Sequence, residues 1–232
     1  MNKTAILIDG GFYRMRAHLL FGDKSPEARA KEIEKYCMAH VHGKHESELY
    51  RIFYYDCPPA SKKVFHPLLK THIDLGKSDL HTWMNAFLEE LKKKRKFALR
   101  LGRLSEEQCN YLLKPEAIKK LCNGRITLND LTETDFKIDI IQKGVDMKVG
   151  IDIASLAFKN QVDQIILISG DSDFVPAAKL ARREGIDFIL DPMGATIKAD
   201  LFEHIDGMRT KTNYIQKIDS REKTEQPEIL DK

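Results

Sequence analysis

The sequence predicts an α/β fold with a mainly parallel central sheet. Two short apolar runs, residues 4–8 (TAILI) and 165–168 (IILI), are rich in β-branched residues and typical of strands buried on both faces. Each run ends in a polar turn that is followed by a segment with helical spacing. Because crossovers join the strands of such a fold, we expect the turns that leave the strands to share one edge of the sheet.

Composition indicates a globular protein. The chain has 232 residues, of which 42% are hydrophobic and 31% charged. We predict one domain over residues 1–219, with an insertion at about 62–130 and a loose polar tail at 220–232. No apolar run approaches the roughly 18 residues that span a bilayer, so we expect a cytoplasmic protein without a membrane partner. The four cysteines form no C-x-x-C pair, which argues against a zinc knuckle or a disulfide framework.

Capping and turn signals place the elements of the first half. After a helix over residues 12–20, Ser25-Pro26-Glu27 opens a second helix that runs to about residue 40. The aromatic and β-branched stretch at 48–55 predicts a strand. Residues 62–129 have a looser, helical pattern, in which an apolar helix face ends at the basic run 92–96 and residues 97–103 alternate as a strand would.

The second half continues the alternation. Residues 136–141 (FKIDII) predict another strand of the sheet, and a helix follows over 146–158. After the strand at 165–168, Asp173 is placed to cap a helix over 174–184, and Gly185 lies just past its end. Residues 186–190 predict the next strand, and a helix lies near 199–205.

Positive charge is concentrated in the predicted insertion. Residues 92–125 contain eleven Lys or Arg against three Glu, whereas the formal net charge of the whole chain is only +3. This pattern favours a polyanionic partner, although a run such as KKKRK is also typical of a solvated helix end. The candidate phosphate-binding residues are Lys92, Lys93, Lys94, Arg95, Lys96, Arg100, Arg103 and, on a later turn, Lys143.

Four aspartates lie in the turns that follow predicted strands. Asp9 follows the first strand, Asp146 opens a helix, and Asp171 and Asp173 follow the strand at 165–168. Carboxylates that converge on one edge without matching cations repel one another unless a divalent cation lies between them. Their hard oxygen ligands select Mg²⁺ or Mn²⁺.

Each aspartate also has a structural interpretation. Asp9 and Asp146 could cap helices, and Asp173 occupies a predicted N-cap position, whereas Asp171 lies outside a capping position and is the better metal-site candidate. Asp152 lies about 9 Å down its helix at roughly 1.5 Å per residue, so we predict a supporting hydrogen-bond role. We place in the same supporting class the residues Asp191, Ser169 and Ser172.

Three motifs resemble a known family. IDGG at 8–11, KGVD at 143–146 and SGDSDF at 169–174 are similar to the signature blocks of NYN domains of the LabA-like group, in the PIN-like nuclease superfamily. YYD at 54–56 and AD-x-F at 199–202 agree more weakly. The resemblance covers residues 3–56 and 136–206. One departure is Phe12, where many members have an asparagine three residues after the first aspartate.

The resemblance implies a Rossmann-like (PIN-like) three-layer fold and a ribonuclease site dependent on magnesium or manganese. The site would contain the aspartates that match the motifs, Asp9, Asp146, Asp171 and Asp173. Single-stranded or structured RNA is the expected partner, and assembly of several copies is compatible with the sequence.

The sequence leaves two alternatives to a ribonuclease. A non-catalytic RNA-binding or protein-interaction module could retain the same fold, and Phe12 favours that alternative mildly. A phosphatase or phosphoacceptor domain fits less well, because the DGG turn lacks a D-x-D pair and no second acid joins it. Neither G-x-G-x-x-G nor G-x-x-x-x-G-K-[ST] is present to bind a nucleotide.

Overall fold

The computed structural model describes residues 2–42, 46–105 and 109–224, with side chains to residue 218. The strands are β1 (Lys3–Asp9), β2 (Glu48–Asp56), β3 (Lys63–His66), β4 (Thr71–Asp74), β5 (Phe97–Leu101), β6 (Arg103–Leu104), β7 (Asn110–Leu113), β8 (Phe136–Asp139), β9 (Gln142–Lys143), β10 (Gln164–Ile168), β11 (Asp187–Asp191) and β12 (Gly207–Met208). The helices are α1 (Gly10–Phe21), α2 (Pro26–Val41), α3 (Asp79–Lys92), α4 (Pro115–Cys122), α5 (Val145–Phe158), α6 (Val175–Arg183), α7 (Ala199–Glu203) and α8 (Thr212–Thr224).

The chain forms two compact units. The first unit contains Met1–Asp56, Ala86–Leu101 and Val145–Lys232, and the second contains Cys57–Asn85 and Gly102–Gly144. The second unit is therefore formed by two separate segments of the chain, whereas the predicted insertion at about 62–130 is one continuous segment. The segment between them returns to the first unit because β5 pairs with β2.

The first unit contains a six-stranded sheet with the order β12-β11-β10-β1-β2-β5. All its strand pairs are parallel, which confirms the predicted α/β class. From β1 the chain adds β2 and then β5 on one side, and afterwards returns to add β10, β11 and β12 on the other. The order is that of the Rossmann fold, with its switch point between β1 and β10.

Helices cover both faces of this sheet. Neighbouring residues of β2 point to opposite faces, so the Tyr54 ring packs edge-on against Phe87 of α3, while the Tyr55 hydroxyl donates to Asp152 of α5. The central strands β1 and β10 contribute the continuous apolar core that the sequence predicted, since Ala5 to Ile8 and Ile165 to Ile168 have no exposed surface. Strands covered on both faces require such uninterrupted apolar runs.

The second unit is built largely from antiparallel pairs rather than helices. Strand β3 pairs with β4, β7 with β8, and β6 with β9, and α4 is its eight-residue helix. The prediction that FKIDII lies in the central sheet is therefore wrong for β8, which pairs with β7. Lys137, Ile138 and Asp139 are all exposed, so both faces of β8 reach solvent, unlike those of β1 and β10.

Several helix ends agree with the sequence. The Ser25 hydroxyl accepts from the Ala28 N–H at 3.2 Å and so caps α2, as predicted. Helix α8 continues to Thr224, beyond the start of the predicted loose tail at about residue 220, and residues 225–232 of that tail lie outside the described residues. Within the described chain, no helix is both long and apolar enough to cross a membrane.

Close packing at the start of α1 predicts an effect of replacing Gly10. A Cβ at this position would lie 2.6 Å from both Asp56 Oδ2 and the Tyr54 hydroxyl oxygen, so we expect Gly10→Ala to lower the free energy of unfolding by about 1–3 kcal/mol. Gly150, within α5, is the matched control because a Cβ there meets open space. Gly150→Ala should stabilise the protein by roughly 0.5–1 kcal/mol, as measured by denaturant unfolding. Equal effects of the two changes would contradict the packing argument.

Candidate functional site

The candidate site lies where β1 and β10 end side by side. Ile8 and Ile168 are register partners, so the next residues, Asp9 and Ser169, leave the sheet together. The buried Ser169 hydroxyl donates to Asp9 Oδ2 at 3.3 Å and accepts from the Asp171 N–H at 3.2 Å. One serine thus links the two acidic turns at the switch point of the sheet, the place where open α/β folds bind ligands.

The two carboxylate oxygens of Asp9 accept from different donors, one from a backbone N–H and the other from the Ser169 hydroxyl. Its Oδ1 accepts from the Phe12 N–H at 3.1 Å and caps α1. Burial nevertheless raises the pKa of Asp9, and the negative charges of Asp146 and Asp56 act in the same direction. The two hydrogen bonds oppose this shift without cancelling it. Burial and two neighbouring carboxylates therefore make ionisation of Asp9 less favourable than that of an exposed carboxyl group.

The turn after β10 has a different capping pattern from the predicted one. Asp171 Oδ1 accepts from the Asp173 N–H at 3.0 Å, so Asp171 caps the 3₁₀ turn Ser172–Phe174. Helix α6 then begins at Val175 without a side-chain cap. The predicted capping role of Asp173 is therefore wrong, and so is the exclusion of Asp171 from capping. Both carboxylates are exposed, and Asp173 is the one not used to cap a helix.

Asp146 joins this region from another element. It is exposed in the first turn of α5, where the helix dipole favours a negatively charged side chain. The pKa of Asp146 is raised by partial burial and then by the charges of Asp171 and Asp173. Its charge in turn acts on Asp9. The structure thus brings all four predicted aspartates into one electrostatic neighbourhood, although the strand expected to deliver Asp146 lies in the second unit.

The donor set suits a hard cation, but these carboxylates do not form a closed cage. Among the described residues, no group of three or more His, Cys, Asp or Glu side chains could hold a metal ion by itself. Mg²⁺ is commonly bound by only one or two carboxylates, with water and substrate phosphates completing its coordination. The oxygen ligands at the switch point fit that mode of binding and do not fit an all-protein site.

The predicted supporting aspartates accept hydrogen bonds from groups outside this cluster. Asp152 accepts from the Tyr55 hydroxyl and from Arg100 Nε, each at 2.8 Å. Asp191 is fully buried at the end of β11. Its carboxylate accepts from the Tyr36 hydroxyl, His40 Nε2, the Met193 N–H and the Thr210 hydroxyl. These bonds fix local structure, and Ser172 instead contacts a lysine described below.

Much of the basic run is occupied within the first unit. Salt bridges join Lys92 to Glu89, Lys93 to Glu90 and Lys94 to Glu34, and Lys96 donates to the Leu49 carbonyl. Arg95 is exposed on the same run. Since nearby carboxylates offset much of this charge, a phosphate-binding role for the run stays a prediction. Arg103 and Lys143 are exposed register partners in the second unit.

Sequence reasoning missed an ion pair behind Asp9. Asp56, at the end of β2, is almost completely buried and receives two hydrogen bonds from Arg14, at 3.0 and 3.1 Å, and one from the Tyr54 hydroxyl. The YYD motif marked the aspartate, but no local pattern pointed to Arg14 as its partner. The guanidinium offsets this carboxylate, which distinguishes Asp56 from the four aspartates of the cluster.

Two further residues contact the acidic turn. Lys198, which precedes α7, donates from Nζ to the Ser172 hydroxyl at 3.2 Å. Phe12 packs so closely on the turn that a Cβ at Gly170 would lie 2.8 Å from its ring. Sequence reasoning gave Lys198 no role because it lies on a separate loop. Phe12 is visible in the sequence as a departure from the family pattern, but its packing against Gly170 is not.

Comparison with known proteins identifies the family. The sequence model of the NYN domain matches residues 84–202, about half of the chain. The chain belongs to the NYN domain family. NYN domains have a PIN-like nuclease fold and are generally nucleases. The matched range contains Asp146, Asp171 and Asp173 and begins after Asp9, and it includes residues 84–135, which the motif resemblance had left unmatched.

Other comparisons add little about activity. A crystal structure of a protein of unknown function from Vibrio parahaemolyticus matches with a TM-score of 0.45 and 15% sequence identity. The match covers 90% of this chain and 92% of the other. No curated protein matches the chain.

The link through Ser169 predicts a stability difference between two serines of the site. Ser169→Ala removes a buried hydroxyl that bridges Asp9 to the acidic turn, and we expect a loss of about 1–2 kcal/mol in unfolding free energy. Ser172→Ala removes the contact with exposed Lys198 and should change stability by less than about 0.5 kcal/mol. Thermal and denaturant unfolding test both values, and an unaffected Ser169→Ala protein would contradict the bridging role.

Proposed function

We propose that this NYN domain protein is a divalent-metal-dependent ribonuclease that hydrolyses RNA phosphodiester bonds beside Asp9, Asp146, Asp171 and Asp173. Membership of its LabA-like group, suggested by the motif resemblance, is part of the same proposal. The ion is Mg²⁺ or Mn²⁺, because carboxylate oxygens are the available ligands. RNA is the substrate class that NYN family membership favours.

The observation that carries the proposal is the contrast between offset and unbalanced carboxylates in the first unit. Arg14 offsets Asp56, and Arg100 offsets Asp152. At the switch point, by contrast, the pKa of Asp146 is raised by burial and by two neighbouring carboxylates. A fold that neutralises its structural acids but leaves this cluster negative favours a cation supplied from solution.

A bound divalent ion would supply positive charge opposite the scissile phosphate and acidify attacking water, so a side-chain nucleophile is not required. Asp9, Asp146 and Asp171 are the residues that would hold the ion, directly or through water, with Asp173 completing the negative ring. The chain's own contribution is positioning. Ser169 holds Asp9 against the acidic turn, and the Asp171 cap fixes the direction of Asp173.

A cleavage assay tests the metal-site proposal. Purified protein should cut RNA with Mg²⁺ or Mn²⁺, lose activity in chelator, and cut single- or double-stranded DNA less well. Asp171→Asn keeps an oxygen that can accept from the Asp173 N–H but removes the charge, so we expect a rate loss of roughly two orders of magnitude. Asp23→Asn is the matched control, since Asp23 is highly exposed and pairs with His18.

Three results separate the possible functions. Cleavage that persists in chelator, or an Asp171→Asn protein as active as Asp23→Asn, would refute the proposed metal site. RNA that is bound with a steep salt dependence but never cut would favour the non-catalytic RNA-binding module. Equal unfolding stability of the two variants shows that the comparison reports on chemistry rather than folding.

Lys198 is proposed to contact a substrate phosphate. Its ammonium donates to Ser172, which stands between Asp171 and Asp173 in the sequence, and the side chain is exposed to an incoming polyanion. Lys198→Gln should raise the KM for RNA several-fold and reduce the slope of log affinity against log salt by about 1. Lys179→Gln, at an exposed position of α6, is the control for a general loss of charge. Equal effects of the two changes would remove Lys198 from the site.

A further inference from the structure

A second concave site lies in the first unit, between β2, β5 and α5. Its cavity has a volume of about 160 Å³ and is open to solvent; Arg51, Phe53, Arg100, Asp152, Ser155 and Gln161 line it. This volume is below the roughly 300–1,000 Å³ of typical small-molecule sites. The cleft therefore suits a single nucleotide that remains partly in solvent better than a complete cofactor.

The arginine at its centre is held in place from two sides. The Arg100 guanidinium lies over the Phe53 ring, 5.2 Å from its centroid, and its Nε donates to Asp152 Oδ2 at 2.8 Å. The Tyr55 hydroxyl donates to the same oxygen and fixes the carboxylate. The Arg100 side chain nevertheless remains 41% exposed. A guanidinium positioned in this way presents a planar surface on which an unpaired base can stack.

The remaining polar groups of the cleft are available to a ligand. Within the part of the chain that the structure describes, the side chains of Arg51, Ser155 and Gln161 have no hydrogen-bond partner. Asp152 neutralises Arg100, so Arg51 supplies the net positive charge of this lining. The combination of a stacking surface, hydrogen-bonding groups and a separate cation matches the base, the sugar and the phosphate of a nucleotide.

The cleft is distinct from the acidic cluster but connected to it by rigid elements. Ser155 lies nine residues after Asp146 on α5, or about 13 Å along the helix axis. Phe53 lies three residues before the end of β2 at Asp56, or about 10 Å along the strand. A nucleotide strand that passes the aspartates can therefore reach the cleft.

We infer that this cleft binds one unpaired nucleotide of the RNA strand, with its base on the exposed face of Arg100 and its phosphate at Arg51. The inference rests on the proposed RNA substrate, but it does not require that the RNA be cut. A nucleotide of the strand is favoured over a free nucleotide because the cleft is small, open and offers a single unbalanced cation.

Binding of fluorescein-labelled oligouridylate of twelve nucleotides, measured by anisotropy in chelator, tests the cleft without cleavage. Arg51→Gln should raise Kd about fivefold and reduce the salt slope by about 1, because it removes one phosphate contact. Arg100→Lys keeps the charge and a partner for Asp152 but loses the planar surface, so Kd should rise with little change in salt slope. Arg183→Gln, at a highly exposed position of α6, is the matched control.

The outcomes decide between the possible ligands. If Arg51→Gln and Arg100→Lys both bind oligouridylate as tightly as Arg183→Gln, the cleft does not hold the strand and the inference is overturned. Displacement of the oligonucleotide by lower concentrations of uridine 5′-monophosphate than of unlabelled oligouridylate would overturn the assignment to a strand nucleotide. Arg51-dependent binding without metal-dependent cleavage would refute the nuclease proposal and leave the cleft intact. Metal-dependent cleavage that is unaffected by Arg51→Gln would refute the cleft and leave the nuclease proposal intact.

Discussion

Parallel pairing of β1 with β10 is the constraint on which the candidate site depends. Their register sets Ile8 opposite Ile168, so Asp9 and Ser169 leave the sheet at the same level. A shift of one residue would exchange the two faces of a strand and bury its polar ends. Because the apolar residues Ala5 to Ile8 and Ile165 to Ile168 are completely buried, such a shift would also place charged groups in the core. The apolar core and the site are therefore specified by the same register.

Charge balance distinguishes the acids that have an arginine partner from the aspartates of the cluster. Asp56 is almost completely buried, yet two hydrogen bonds from Arg14 place a positive charge beside it. The hydrogen-bond partners of Asp9 among the described residues are neutral, and its pKa is raised by burial and by neighbouring acids. The fold thus keeps negative charge at the switch point at a cost in stability. Such a cost is expected at a functional site, where local rules of structure are broken.

The sequence predicted the elements well where the signal was local. Uninterrupted apolar runs identified β1 and β10, and Ser25 with Pro26 identified the start of α2. Pairing partners were less accessible: residues 136–141 do alternate as a strand does, but nothing local shows that β8 pairs with β7 rather than joining the central sheet. The roles of Asp171 and Asp173 were exchanged because a 3₁₀ turn moves the start of the helix by a residue or two.

Contacts between distant residues explain the rest of the site that sequence reasoning missed. Arg14 and Asp56 are separated by 42 positions, and Lys198 and Ser172 by 26, so no motif contains either pair. The cleft at Arg100 also depends on three separate segments. Helix α5 carries Asp146 at its start and lines the cleft further along, while β2 runs from the cleft to Asp56. Because these elements are rigid, the spacing between aspartates and cleft is fixed. An RNA strand bound at one of these two proposed sites would therefore be held at high effective concentration near the other, which would allow individually weak contacts to act together.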